Sequence, residues 1–257
     1  MDVAAPDLPG DIDSSDVADI DSGLVAWWLC HPSRMGGTLW HDMGNGLVGT
    51  LTGMALNPTA TSGWGFGTQP GGAGELRFDG TNDYVDIGDI SKLEFTGDMT
   101  ASVWVRTNIA QSNKGLVHKW VGNTGWILLA FGTSQITFQT NGSANRATAG
   151  ITDNVWTHAV GVRSGTTISL YIDGVLAATD TGASLSSSGT QAAEIGRYGG
   201  NYFNGSLDDV RLYNRALSAP AVARLYQESR LGYPSLFEDS LLDYAAAVAA
   251  TTILPQM

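Results

Sequence analysis

Residues 99–106 alternate strictly: Met99-Thr100-Ala101-Ser102-Val103-Trp104-Val105-Arg106, with Met99, Ala101, Val103 and Val105 on one side. A period of two puts successive side chains on opposite faces of an extended backbone, so this stretch predicts a half-buried strand. Shorter runs of the same kind recur at 24–29, 76–78, 84–87, 115–120, 126–131, 135–139, 156–162, 168–172 and 191–196. Asp173-Gly174 is a two-residue hairpin turn of the primed type. Gly63-Trp64-Gly65-Phe66-Gly67 and Gln69-Pro70-Gly71-Gly72 read as loop. No Gly-Lys-Ser/Thr follows them, so they are not a phosphate cradle. Many short strands separated by turn signals predict an all-β, two-sheet antiparallel sandwich or a barrel.

The pattern changes after residue 195. Residues 195–218 read as strand, glycine-rich loop, strand and the start of a helix, with Leu207, Val210, Leu212 and Tyr213 as apolar content. Ser218 is a good N-cap, and Pro220 suits a first turn because its missing N–H has no intrahelical partner there. Residues 221–228 continue as helix, and the alanine-rich 241–250 predict another short one.

Residues 1–22 carry Asp2, Asp7, Asp11, Asp13, Asp16, Asp19 and Asp21 with no Lys or Arg. Such a segment buries no core of its own and is expected to be disordered when alone. The chain therefore divides into an acidic N-terminal arm at 1–22, a sandwich at 23–228 and a C-terminal tail at 229–257. The two ends suit attachment to other subunits of an assembly. Asp11, Asp13 and Asp16 in the arm, and Tyr233, Leu241 and Leu242 in the tail, are the candidate contacts.

Hydrophobic residues make up 43% of the 257, enough to fill one sandwich core. The formal net charge of −12 argues against nucleic acid and anionic membrane surfaces, which need a basic face. It suits a divalent cation or a basic protein surface. Cys30 is the single cysteine, so no intrachain disulfide forms. Residues 1–22 lack the basic and apolar regions of a signal peptide, and 244–257 are too short and polar to span a bilayer. These readings predict a soluble protein made in the cytoplasm, without membrane insertion.

Three stretches resemble one family. Residues 195–218 include Asn204-Gly205-Ser206-Leu207-Asp208-Asp209-Val210-Arg211-Leu212-Tyr213-Asn214-Arg215-Ala216-Leu217-Ser218. Residues 76–87 read Leu-Arg-Phe-Asp-Gly-Thr-Asn-Asp-Tyr-Val-Asp-Ile, and 156–162 with 168–176 look like a central hairpin. Together they resemble the laminin-G-like jelly roll of the concanavalin A-like lectin/glucanase superfamily over roughly 23–228. The resemblance implies a jelly-roll sandwich in which a late strand returns beside an early one, making Asp79, Asp83 and Asp208 neighbours.

Calcium takes six to eight oxygen ligands. Asp79, Asn82 and Asp83 offer oxygens on one tight turn, and Asp208 and Asp209 offer more from the closing strand. Relatives with this pattern often hold calcium between the two regions, which makes calcium the candidate cofactor. Asp-Gly and Asn-Asp are equally ordinary turn formers. A glycan would need aromatic platforms beside hydrogen-bonding groups. Trp64, Trp120, Tyr198 and Tyr202, with Asn123 and Asn201, are the candidates, and plain packing is the alternative for each aromatic.

Catalytic patterns are missing from the sequence. Glu75, Glu94, Glu194, Glu228 and Glu238 do not reproduce the Glu-x-Asp-x-(x)-Glu spacing of β-glucanases, and no Gly-x-Ser-x-Gly elbow occurs. His31, His41, His118 and His158 lack zinc-ligand spacing. The expected function is a non-enzymatic recognition or structural module. The segment Arg230-Leu231-Gly232-Tyr233-Pro234 looks like tails of phage structural proteins, which implies a surface-exposed subunit of a virion that stabilises the particle or contacts host glycans. The alternatives are a calcium-dependent lectin module of a bacterial surface or secreted protein, and a glycoside hydrolase.

Overall fold

The computed structural model describes residues 20–56, 59–71, 74–107, 113–142 and 144–231. The candidate assembly residues Asp11, Asp13, Asp16, Tyr233, Leu241 and Leu242 lie outside them.

Two large antiparallel sheets form the described structure. The first contains β1 (Leu24–Trp28), β5 (Gly63–Gly65), β6 (Glu75–Asp79), β8 (Met99–Thr107), β13 (Thr157–Ser164), β14 (Thr167–Ile172), β15 (Val175–Thr181) and β19 (Asn204–Tyr213). Its order is β15-β14-β13-β8-β19-β6-β5, with β1 also paired to β19. The second contains β2 (Met35–Gly36), β3 (Leu39–His41), β4 (Val48–Thr52), β7 (Tyr84–Gly88), β9 (Lys114–Val121), β10 (Thr124–Phe131), β11 (Gln135–Thr140), β12 (Arg146–Gly150) and β16 (Ala193–Ile195). Its order is β12-β11-β10-β9-β16-β7-β4-β3-β2. A small ribbon, β17 (Arg197–Tyr198) and β18 (Asn201–Tyr202), stands apart, and α1 (Ala219–Leu231) follows β19. The two-sheet antiparallel jelly-roll sandwich predicted from the sequence is therefore the observed fold.

The inward face of β8 is as expected, with Met99, Ala101, Val103 and Val105 fully buried between the sheets. The strand is not half-buried, however: Thr100, Ser102 and Trp104 on its other face are buried as well, with the helix packed over that sheet. Gly161 on β13 marks how close the layers come. A Cβ there would lie 2.2 Å from Cγ of Phe138 on β11, so only glycine fits opposite that ring. Gly63-Trp64-Gly65, expected as loop, is instead the short edge strand β5, because Trp64 pairs with Leu76 of β6.

The order of β19 explains the spacing of its apolar residues. Asp208 faces Trp104 and Arg211 faces Ser102, so β19 holds one extra residue there. Asp209, at φ 50°, occupies this bulge. The extra residue carries the inward set from Leu207 to Val210 and Leu212, a step of three followed by a step of two.

A second apolar cluster lies on the other side of the first sheet. Val160, Val162, Tyr171 and Tyr213 pack under Leu217, Ala221, Val222 and Leu225 of the helix region, with Ile20 completing the cluster. Ser218 caps α1 as expected, its Oγ accepting from the Ala221 N–H at 3.3 Å. Beside this cluster the His158 ring lies 5.2 Å from Trp104 and 5.9 Å from Tyr226 between centroids. His158 Nε2 and Ser102 Oγ are 2.8 Å apart, and Trp104 Nε1 donates to Ser229 Oγ at 2.9 Å. Burial holds the His158 pKa down at about 4, against the Asp209 carboxylate and with the help of Arg211. These contacts reach past residues 23 and 228 at both ends of the sandwich. The sandwich unit includes Ile20 from the acidic arm, and the helix runs past 228 to bury Ser229.

Candidate functional site

The outer face of the second sheet carries a row of side chains that strand pairing alone assembles. Arg146 on β12 faces Gln139 on β11, which faces Ile127 on β10. Ile127 faces His118 on β9, His118 faces Glu194 on β16, and Glu194 faces Asp86 on β7. Residues opposite one another across an antiparallel pair project from the same face, so this row runs across the sheet.

Beside the row, Trp120, Ile127 and Leu129 form a small apolar cluster with Phe131 and Tyr198 packed against it. The ribbon brings Tyr198 there. Its approach depends on Gly115 of β9, where a Cβ would sit 2.3 Å from the Arg197 carbonyl oxygen. Gly199 and Gly200, at φ 54° and 80°, close the ribbon in a turn that needs positive φ.

Two adjoining clefts result, sharing Trp120 and Tyr198. One, of about 160 Å³, is lined by Asn123, Leu129, Phe131, Gln139 and Arg146 as well. The other, of about 310 Å³, reaches His118, Gln191, Glu194 and Arg197.

The polar end is tied together by ion pairs. Glu194 accepts from Arg197 through both carboxylate oxygens, Nε–Oε2 being 3.0 Å. His118 Nε2 lies 3.4 Å from Glu194 Oε2. Burial opposes ionisation of Glu194, but His118 and Arg197 outweigh it and hold the carboxyl at about 2. The Glu194 carboxylate raises the Arg197 pKa against partial burial. The Arg197 guanidinium also lies 3.6 Å from the Tyr84 ring centroid. Tyr202 joins the same stack, 6.3 Å from Tyr84.

Of the sugar-binding candidates, Trp120, Asn123, Tyr198 and Tyr202 come together on this face, and Asn201 sits exposed at the ribbon tip. Trp120 is only 4% exposed, so it forms the floor while Tyr198 offers the accessible ring. Trp64 does not belong to the group. It lies on β5 at the edge of the other sheet, 5.7 Å from Phe66. Arg146, Gln139, Phe131, Glu194 and His118 were missed as site residues. Only the strand register unites them.

The calcium candidates separate into two places. Asn204 pairs with Asp79 and Leu207 with Leu76, which puts Asp208 four positions along β19 from the Asp79 turn. At ~3.3 Å per residue that is ~13 Å, too far for one ion with ligands at ~2.4 Å. The expectation that Asp79, Asp83 and Asp208 are neighbours fails because the bulged strand runs past the turn.

In the turn, Asp79 Oδ1 accepts from the Thr81 and Asn82 N–H groups, and Asp83 Oδ2 from that of Asp79. Burial raises the Asp83 pKa, partly offset by Ser62 and the Asp79 N–H. In the strand, Asp208 Oδ1 accepts from the Cys30 and Asp209 N–H groups, both at 2.7 Å. Burial, then the Asp209 charge, pushes the Asp208 pKa up. Asp209 Oδ1 accepts from Trp27 Nε1 at 2.6 Å and Arg211 Nε at 2.9 Å. These carboxylates tie turns and strands together. Among the described residues no group of three or more His, Cys, Asp or Glu is arranged to hold a metal ion.

A further hollow, of about 260 Å³, lies on the first sheet beside Arg77 and Arg106. Glu75 pairs with both guanidiniums, at 2.7 and 3.0 Å. That hollow lacks an aromatic platform apart from Phe78, whose ring is buried in the core.

Solved structures share this fold at low identity. Domain 4 of AbnA, an extracellular arabinanase of family GH43 from Geobacillus stearothermophilus, solved in complex with arabinotriose, is 18% identical. The match covers 79% of this chain and 98% of that one, with a TM-score of 0.61. A Trypanosoma rangeli sialidase is 15% identical over 83% of this chain and 34% of its own, with a TM-score of 0.61. The binding domain of Paraclostridial Mosquitocidal Protein 1 is 15% identical over 80% and 52%, with a TM-score of 0.59. The chain thus spans about a third and about half of the last two. No curated protein matches it in sequence. Residues 79–223 match the family described as the Concanavalin A-like lectin/glucanases superfamily, and the chain belongs to it.

Proposed function

We propose that the protein binds carbohydrate, without cleaving it, in the paired clefts around Trp120 and Tyr198. The observation that carries this reading is the composition of the face. An apolar floor with a half-exposed tyrosine stands beside amides and charged groups held by the sheet, which is the mixture a sugar ring requires. The arabinotriose bound to the similar arabinanase domain supports the ligand class.

The non-enzymatic part rests on Glu194. Glycoside hydrolysis needs one carboxyl with a raised pKa to protonate the leaving oxygen. Glu194 is held down at about 2 and is engaged by Arg197 and His118. Its neighbour Asp86 accepts from the Gly88 N–H at 2.8 Å.

Binding to an array of oligosaccharides tests the reading. Wild-type protein should retain at least one sugar class, and Tyr198→Ala should weaken that binding by about fivefold or more, since aromatic stacking is worth ~1 kcal/mol or more. Retention by Tyr198→Ala at wild-type strength, or release of reducing ends from the bound sugar, would refute it.

A further inference from the structure

Among the described residues, one cation of the carbohydrate cleft has no ion pair. Arg197 is held by Glu194 at the opposite end of the row. Arg146 forms no ion pair or side-chain hydrogen bond with any described residue. Its backbone N–H donates to Asp180 Oδ2 at 2.9 Å, while its guanidinium carbon lies over the Phe131 ring, 4.7 Å from the centroid. A guanidinium over an aromatic ring keeps its N–H groups available, and Arg146 is exposed and lines the cleft with Phe131 and Gln139.

Building on the carbohydrate reading of this cleft, we infer that the bound sugar bears a carboxylate, and that the Arg146 guanidinium receives it while the ring stacks on Tyr198. A planar guanidinium over an aromatic ring matches a planar carboxylate through two parallel N–H···O bonds. The charge balance narrows the ligand further. A chain of net charge −12 repels a polyanion at long range, and among the described residues the cleft offers one cation without an acidic partner. The ligand class is an otherwise neutral glycan with a single acidic residue, either a uronic acid or a sialic acid.

Titration calorimetry with the whole chain decides the matter. The probes are a mono-uronide oligosaccharide, a sialylated oligosaccharide, the carboxyl-reduced form of each, and a sulfated counterpart. Wild-type protein should bind one acidic probe on the order of tenfold tighter than its carboxyl-reduced form, as expected for hydrogen bonds to a charged group. The arm showing the preference identifies the source of the carboxylate. Arg146→Met should abolish the preference, and an unaltered melting temperature should confirm the fold, since this side chain is exposed. Tyr198→Ala should weaken acidic and reduced forms alike. Equal binding of acidic and reduced sugars, tighter binding of the sulfated probe, or a preference that survives in Arg146→Met overturns the inference alone. Absence of any Tyr198-dependent sugar binding overturns both this inference and the carbohydrate reading.

Discussion

His158 shows how one side chain couples the sandwich to its helix. The imidazole lies between Trp104 and Tyr226, with Ser102 on Nε2 and the charges of Asp209 and Arg211 beyond. Its backbone N–H donates to Asp173 Oδ1. The ring titrates near 6.5 when exposed and at about 4 here. Between those values the unfolded chain binds more protons than the folded one, so stability falls as pH drops from 6.5 to 4. A shift of this size corresponds to a few kcal/mol once both forms are protonated. Denaturant unfolding of wild type across pH 7 to 4 should show that loss, and His158→Gln, which keeps a hydrogen-bonding group for Ser102 but no titrating ring, should show much less. Glu194 does not confuse the test. Its depressed pKa contributes stability that is present above about 4.5 and lost only toward pH 2. Equal pH slopes for wild type and His158→Gln would rule out the account.

At the scale of elements, the layers are held by close approach rather than by size. Gly161→Ala would push a methyl into the Phe138 ring across the core, where neither strand can easily give. Overpacking of this kind costs ~1–3 kcal/mol. Thermal or urea unfolding should show that loss, and adding Phe138→Leu should recover part of it, so that the two changes together cost less than their sum.

The strands themselves were readable in the sequence because their inward residues follow local periodicity: β8 shows this without exception. The bulge at Asp209 was visible only as an irregular step from Leu207 to Val210. The edge strand β5 was hidden by its glycines, since it owes its form to pairing with β6. The candidate site was half legible. Tyr198 and Trp120 announced themselves as aromatics near turns. Arg146, Gln139, His118 and Glu194 are far apart in the chain and become one row only through the register of β12, β11, β10, β9 and β16.

The expected meeting of Asp79 and Asp83 with Asp208 failed for the converse reason. Acidic residues look alike in sequence whether they ligate a metal or hold backbone N–H groups, and here register separates the two acidic pairs.

For the whole molecule, the two outer faces are covered differently. The first sheet is covered by α1 and by Ile20, which bury its outward apolar residues. The second sheet leaves its outer face open around Tyr198 and Arg146, with the glycine-tipped ribbon beside them. The face proposed to bind carbohydrate is therefore the one on the side of the sandwich away from α1. A crystal structure of the protein soaked with the oligosaccharide it binds tests this most directly. The account predicts sugar density on the outer face of the second sheet, one ring over Tyr198 above the Trp120 floor. Density confined to the Arg77–Arg106 hollow on the first sheet, with the Tyr198 cleft empty, would contradict it.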